Sequence, residues 1–80
     1  MNDLLGQLVI SLAGRDKESI CAVVGNSEDE GYVLIADGKI RKVEKPKKKK
    51  LKHINKTNTV LKLDFENLSD SAVRKALAEY

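Results

Sequence analysis

Eighty residues are enough for one small domain with a modest core, and leave no room for a second. One cysteine, Cys21, excludes an intrachain disulfide, and with one histidine, His53, beside it the chain lacks the spacing of a zinc ligand set. The net charge is only +3, yet residues 39–56 carry ten Lys or Arg against one acid, Glu44, a local charge of +9 that leaves −6 for everything else.

The chain opens M-N-D-L-L, with no basic leader and no long apolar run, so neither a signal peptide nor a membrane span is expected. Absence of disulfides fits a reducing compartment, and the cytoplasm is the expected location. Residues 7–12, Q-L-V-I-S-L, are apolar and partly β-branched, with Leu8, Ile10 and Leu12 on one face of a first strand. Residues 13–17 form a loop in which Gly14 supplies a positive φ and Arg15 and Lys17 place two cations at the tip. A second strand spans residues 18–25. Ile20, Ala22 and Val24 share one face and Cys21 and Val23 the other, so both faces are apolar and the strand is expected to be central. Cys21 in this setting reads as a buried small hydrophobe.

Residues 26–31 are a turn cluster holding Glu28, Asp29 and Glu30, read as a solvated acidic loop. Residues 32–36, Y-V-L-I-A, are a third strand, and Asp37-Gly38 after it is the pattern of a two-residue type I′ hairpin. Residues 39–43 then read as a fourth strand, with Ile40 and Val43 reaching the core and Lys39, Arg41 and Lys42 forming a basic ledge. Pro46 has no amide proton and ends this strand. A basic loop over 44–50 follows, with Lys45 and the run Lys47, Lys48, Lys49 and Lys50. Nothing in that run is apolar and its like charges repel, so an extended, mobile loop is expected.

Residues 51–54 read as a short closing strand that includes Lys52 and His53, and residues 55–58, with Lys56, as a turn. Residues 59–65 alternate Leu61, Leu63 and Phe65 with Lys62 and Asp64, which favours extended chain, although Leu61, Phe65 and Leu68 also fit the spacing of a helix. The last element is a helix over about residues 69–79. Ser69 is its N-cap, Asp70 complements the dipole, and Leu68 opposes Val73 as a hydrophobic staple. Val73, Ala76, Leu77 and Tyr80 form its apolar stripe.

The fold class expected from these elements is mainly β: a small, strongly bent barrel of about five strands with a short C-terminal α-helix, all in one domain over residues 1–80. No Walker loop and no GxGxxG is present, and Asp64 and Glu66 read as same-face surface charges rather than a catalytic pair. No enzyme activity, no cofactor and no metal are expected.

The stretch G-Q-L-V-I-S-L-A-G-R-D-K-E-S-I-C-A-V-V, residues 6–24, resembles a KOW motif: strand, loop, strand, with a glycine in the loop at Gly14 and basic residues after it at Arg15 and Lys17. Many KOW sequences carry a further glycine directly after that lysine, where this chain has Glu18. The resemblance continues through Y-V-L-I-A-D-G-K-I-R-K-V-E-K-P-K-K-K-K-L-K-H to about residue 54. It is similar to the short bacterial KOW-domain RNA-binding proteins related to the eukaryotic-type large-subunit ribosomal protein fourteen. The resemblance implies an SH3-like barrel over residues 6–55 that binds RNA, ribosomal RNA in the first place, as a cytoplasmic ribonucleoprotein or translation component. Residues from Thr57 onward are not covered by it.

The expected RNA-binding residues are Arg15, Lys17, Lys39, Arg41, Lys42, Lys45, Lys47, Lys48, Lys49, Lys50, Lys52, His53 and Lys56, with Gly14, Asp37 and Gly38 shaping the loops. Only Tyr32, Phe65 and Tyr80 are aromatic, and the core pattern claims the last two. Recognition of phosphate backbone and RNA shape is therefore expected rather than base stacking. Besides a plain solvated charge cluster with no partner, two other readings compete. One is a KOW-type protein-protein interaction module in a ribosome or transcription complex, in which residues 28–30 meet a basic partner. The other is attachment to an anionic membrane surface, disfavoured because no bulky apolar residue interleaves the lysine run. The free protein is expected to be a monomer.

Overall fold

The computed structural model describes residues 4–12 and 19–80. Five strands, β1 (Gln7–Ser11), β2 (Ile20–Asn26), β3 (Tyr32–Ala36), β4 (Lys47–Lys50) and β5 (Ile54–Val60), form one antiparallel sheet in the order β4-β3-β2-β1-β5. A short 3-10 helix, Leu51–His53, joins β4 to β5, and α1 (Asp70–Leu77) follows. β2 is the middle strand, as its two apolar faces require.

The sheet is not closed into a barrel: β4 and β5 remain its two edges. It is nevertheless curled. Val33 and Ile35 of β3 share one buried cluster with Val9, Cys21, Val23 and Ile54, the last from a strand three places away in the sheet. The opposite face carries Leu8 and Ala22, over which α1 lays Val73 and Leu77, with Leu61 completing the layer. Register explains the division, because Val9 pairs with Cys21 and Leu8 with Ala22, and side chains alternate along a strand. Each large buried side chain of these clusters contributes about 1.5–3 kcal/mol. The half-exposed Lys48–Asp29 ion pair contributes at most about 1 kcal/mol. Apolar packing on both faces of the sheet therefore holds the fold together.

Several segments differ from the sequence reading. Residues 39–43 form no strand, and β3 is followed by a loop over residues 37–46. Asp37 Oδ1 accepts the backbone N–H of Lys39 at 2.8 Å and of Arg41 at 2.9 Å, while the Arg41 carbonyl accepts from the amides of Asp37 and Gly38 at 3.1 and 3.0 Å. This side-chain turn satisfies the backbone locally and removes the incentive to pair as a ladder. Gly38 does take a positive φ, 79°, but inside this turn rather than in a two-residue hairpin. Ile40 ends 78% exposed, and only Val43 of the two expected core residues packs against a cluster.

Residues 47–50, expected as a mobile loop, are β4, with Lys47 paired to Ile35, Lys48 to Leu34, Lys49 to Val33 and Lys50 to Tyr32. The energetic reason is simple. Same-side lysines on a strand stand about 6.6 Å apart. In water two unit charges even at 4 Å repel by only about 1 kcal/mol, whereas an unpaired β3 edge would leave a row of backbone groups without partners. Exposed lysines also suit an edge strand, because they discourage pairing with another chain.

Residues 51–53 are helical rather than extended, and the expected turn at 55–58 lies inside β5. Polar side chains bond β5 to β1 there: Thr57 Oγ1 donates to the Leu8 carbonyl at 2.7 Å, and Gln7 Nε2 donates to the carbonyls of Thr57 and, at 3.2 Å, Thr59. The extended reading of 59–65 holds only to Val60; a turn over residues 65–67 precedes the helix. Phe65 and Tyr80 lie exposed, outside the core assigned to them, and Leu12 is exposed just past the end of β1. The helix itself agrees with the sequence reading. Ser69 caps it by accepting from the Ala72 amide at 3.1 Å, and Leu68 packs in the cluster that contains Val73. Among the described residues no helix is long and apolar enough to cross a membrane.

Candidate nucleic-acid interface

The loop over residues 37–46 and β4 are consecutive in the chain and together carry most of its exposed cations among the described residues. Lys39, Lys42 and Lys45 are exposed on the loop, and Lys47, Lys48 and Lys50 are exposed on β4. Arg41 is half-buried, its backbone bonded in both directions to Asp37 and Gly38. Lys52 is exposed and His53 half-buried on the 3-10 helix. Lys56 is exposed on β5, the opposite edge strand of the sheet. Gly14, Arg15 and Lys17 lie outside the described residues.

Lys49 stands apart from its neighbours. Strand alternation sends it to the face of Val33, its cross-strand partner, where it is only 9% exposed. It belongs to the packing of the sheet, while Lys48 and Lys50 project from the other face. There they flank Tyr32, with their ammonium groups 4.8 and 5.9 Å from the ring centroid. Cation–π contacts of this exposed kind are worth about 0.5–1 kcal/mol. They leave the charges solvated and hold two otherwise floppy side chains near defined positions.

Four residues outside the sequence-based set shape this surface. Asp29, from the acidic turn, forms an ion pair with Lys48, so the acidic and basic segments meet within the molecule. Tyr32 anchors the two lysines. Asp70 and Arg74, one turn apart on α1, hold the basic loop from behind: Asp70 Oδ1 accepts the Val43 amide at 2.8 Å, and Arg74 Nη1 donates to the Gly38 carbonyl at 2.8 Å. Spacing of four on a helix puts Asp70 and Arg74 on one face, which was legible from the sequence. Their target was not, because it depends on where α1 crosses the sheet.

Gly38 marks the tightest point of this docking. A Cβ there would come within 2.4 Å of the Asp70 carbonyl oxygen and 2.9 Å of Arg74 Cγ. No group of three or more His, Cys, Asp or Glu able to hold a metal ion occurs among the described residues. Comparison with protein-family models and with curated proteins finds no match to this sequence.

Proposed function

We propose that this chain is a non-catalytic RNA-binding protein that grips phosphate backbone with the exposed cations of residues 39–50, in the manner of the KOW-domain proteins it resembles, on ribosomal RNA in the cytoplasm. The observation that carries this reading is the ordered array on β4. Lys47, Lys48 and Lys50 are held exposed on a strand rather than scattered on a loop, Lys48 and Lys50 on one face and Lys47 on the other, and Lys39, Lys42 and Lys45 are exposed on the loop that precedes it. Cations at fixed positions attract a polyanion at long range and release its counterions at contact. The antiparallel β1–β2 pair over the KOW-like segment and the curled five-strand order support an SH3-like relationship. Tyr32 presents its ring to two ammonium groups, which favours backbone contact over stacking at that position.

Ile40 favours a second reading, attachment to an anionic membrane, since it projects 78% exposed among Lys39, Arg41 and Lys42. One isoleucine inserted into lipid contributes about 1.5–3 kcal/mol, well short of a myristoyl chain, which itself anchors only marginally. RNA remains the better fit. The protein-interaction reading loses part of its basis because Asp29 already has a cationic partner in Lys48.

Sedimentation of cell extract through a high-salt sucrose gradient tests the proposal. The protein is expected to travel with large particles and to return to the top after ribonuclease treatment. Persistence in the heavy fractions after digestion, or flotation with anionic liposomes, would contradict it.

A further inference from the structure

Between the loop over residues 37–46 and the C-terminal half of α1 lies a cleft of about 480 Å³. Its apolar lining comes from Ile20 and Leu77, both part of the helix-side packing. Its polar lining comes from Asp37, Lys39 and Arg74. Two of these groups are fixed in place. Arg74 Nη1 is tied to the Gly38 carbonyl at 2.8 Å, and Asp37 Oδ1 holds the amides of Lys39 and Arg41. The cleft adjoins the basic loop but draws on α1 and on the start of β2, which lie outside the residues assigned above to phosphate contact.

We infer that this cleft receives one unstacked nucleotide of the bound RNA, and that it prefers a base bearing an exocyclic amino group. This rests on the RNA-binding reading and adds to it a site and a base preference. The chemistry follows from the lining. A flat base needs apolar or planar surfaces, which Ile20, Leu77 and the guanidinium plane of Arg74 provide; arginine planes stack well on splayed RNA bases. A phosphate needs a cation, and Lys39 is exposed at the cleft. The carboxylate of Asp37 would repel a phosphate, so the phosphate lies toward Lys39 and the base toward Asp37. An ionised carboxylate only accepts hydrogen bonds. Cytosine, adenine and guanine offer an amino donor to it, whereas uracil presents carbonyl oxygens in the same place.

The test uses the intact protein labelled with ¹⁵N and four probes: cytidine and uridine 5′-monophosphate, and ten-nucleotide oligo(C) and oligo(U). Cytidine monophosphate is expected to shift the amides of Ser19, Ile20 and Leu77 more than uridine monophosphate does. Oligo(C) is expected to bind roughly fivefold more tightly than oligo(U), the value of about one hydrogen bond. Ala78 also borders the cleft and is exposed, so Ala78→Trp should fill the space from the rim. It should abolish the preference for oligo(C) and flatten the salt dependence by no more than about 1, the share of the single phosphate at Lys39. If that variant does not fold, the wild-type shifts decide alone. Equal binding of both oligonucleotides with no shift at Ser19, Ile20 or Leu77 would overturn this inference and leave the RNA-binding reading standing. Failure of both oligonucleotides to bind at all would overturn both.

Discussion

Asp70, in the first turn of α1, accepts the backbone N–H of Val43 at 2.8 Å across twenty-seven residues of sequence. Arg74, one turn later, donates to the Gly38 carbonyl. The helix therefore fixes both ends of the segment that carries Lys39, Arg41 and Lys42, and the C-terminal part of the chain, which the KOW resemblance does not reach, becomes part of the proposed RNA-binding unit. A hydrogen bond to a carboxylate is worth about 1.5–3 kcal/mol net. Asp70→Ala is expected to lower stability by that amount in urea denaturation and to speed hydrogen exchange at the Val43 amide. Asp70→Asn, which retains an acceptor oxygen, should recover part of both.

Gly38 and Gly31 form a natural comparison, with φ of 79° and 84°. A side chain at Gly31 would meet nothing within 4 Å, while one at Gly38 would collide with the Asp70 carbonyl at 2.4 Å. Gly31→Ala should cost only the left-handed strain, about 1–2 kcal/mol. Gly38→Ala adds a backbone clash to the same strain and should be clearly worse, with α1 displaced from the loop. Urea midpoints of the two variants check this; equal midpoints would show that α1 does not press on the loop.

On the proposed reading Asp29 would compete with phosphate for Lys48, because an RNA strand crossing β4 would have to displace this carboxylate. Asp29→Asn is expected to tighten RNA binding a few-fold at low salt. It should alter stability by less than about 1 kcal/mol, because the pair is exposed and screened. Fluorescence anisotropy with a labelled RNA measures the first effect and thermal denaturation the second.

Asp64 carries a pH signature. Its Oδ2 accepts from Asn67 Nδ2 at 3.2 Å and its Oδ1 from the Glu66 amide at 3.1 Å, and these bonds, that from the Asn67 side chain foremost, lower its pKa below the ordinary carboxylate value. The depressed folded-state pKa means that the contribution of this turn is present above the unfolded-state pKa and fades as pH falls through the folded one. In a carboxyl NMR titration Asp64 should show a lower midpoint in the wild type than in Asn67→Ala. Identical midpoints would show that the side-chain bond is not made in solution.

The parts of the fold legible in the sequence were those where apolar periodicity and local chemistry agreed. β3 reads from Y-V-L-I-A, the centrality of β2 from its two apolar faces, and α1 from Ser69 and the stripe through Val73 and Leu77. The errors share one cause. In residues 39–50 side-chain pattern pointed one way and backbone bonding another. Ile40 and Val43 suggested a strand, but the Asp37 carboxylate captured the amides of Lys39 and Arg41. The lysine run suggested solvated coil, but the edge of β3 needed a partner strand and took it. β5 was missed for the same reason, since Asn55, Lys56, Thr57 and Asn58 read as a turn until β1 lies beside them. The positions of the cations along the chain were plain. That Lys49 turns inward, that Asp29 reaches Lys48 and that Asp70 and Arg74 hold the loop at Val43 and Gly38 required the register and the helix crossing.

The direct test of the central claim is the salt dependence of RNA affinity in the wild type and in a Lys47→Ala, Lys48→Ala, Lys50→Ala variant that leaves the buried Lys49 in place. With roughly five or six phosphate contacts the wild-type log affinity should fall against log salt with a slope of about −4 to −5. Loss of three contacts should flatten that slope by about 2 to 3, weaken different RNAs alike and leave the melting temperature little changed. A folded triple variant with an unaltered slope would contradict the account and put the RNA-binding surface elsewhere on the molecule.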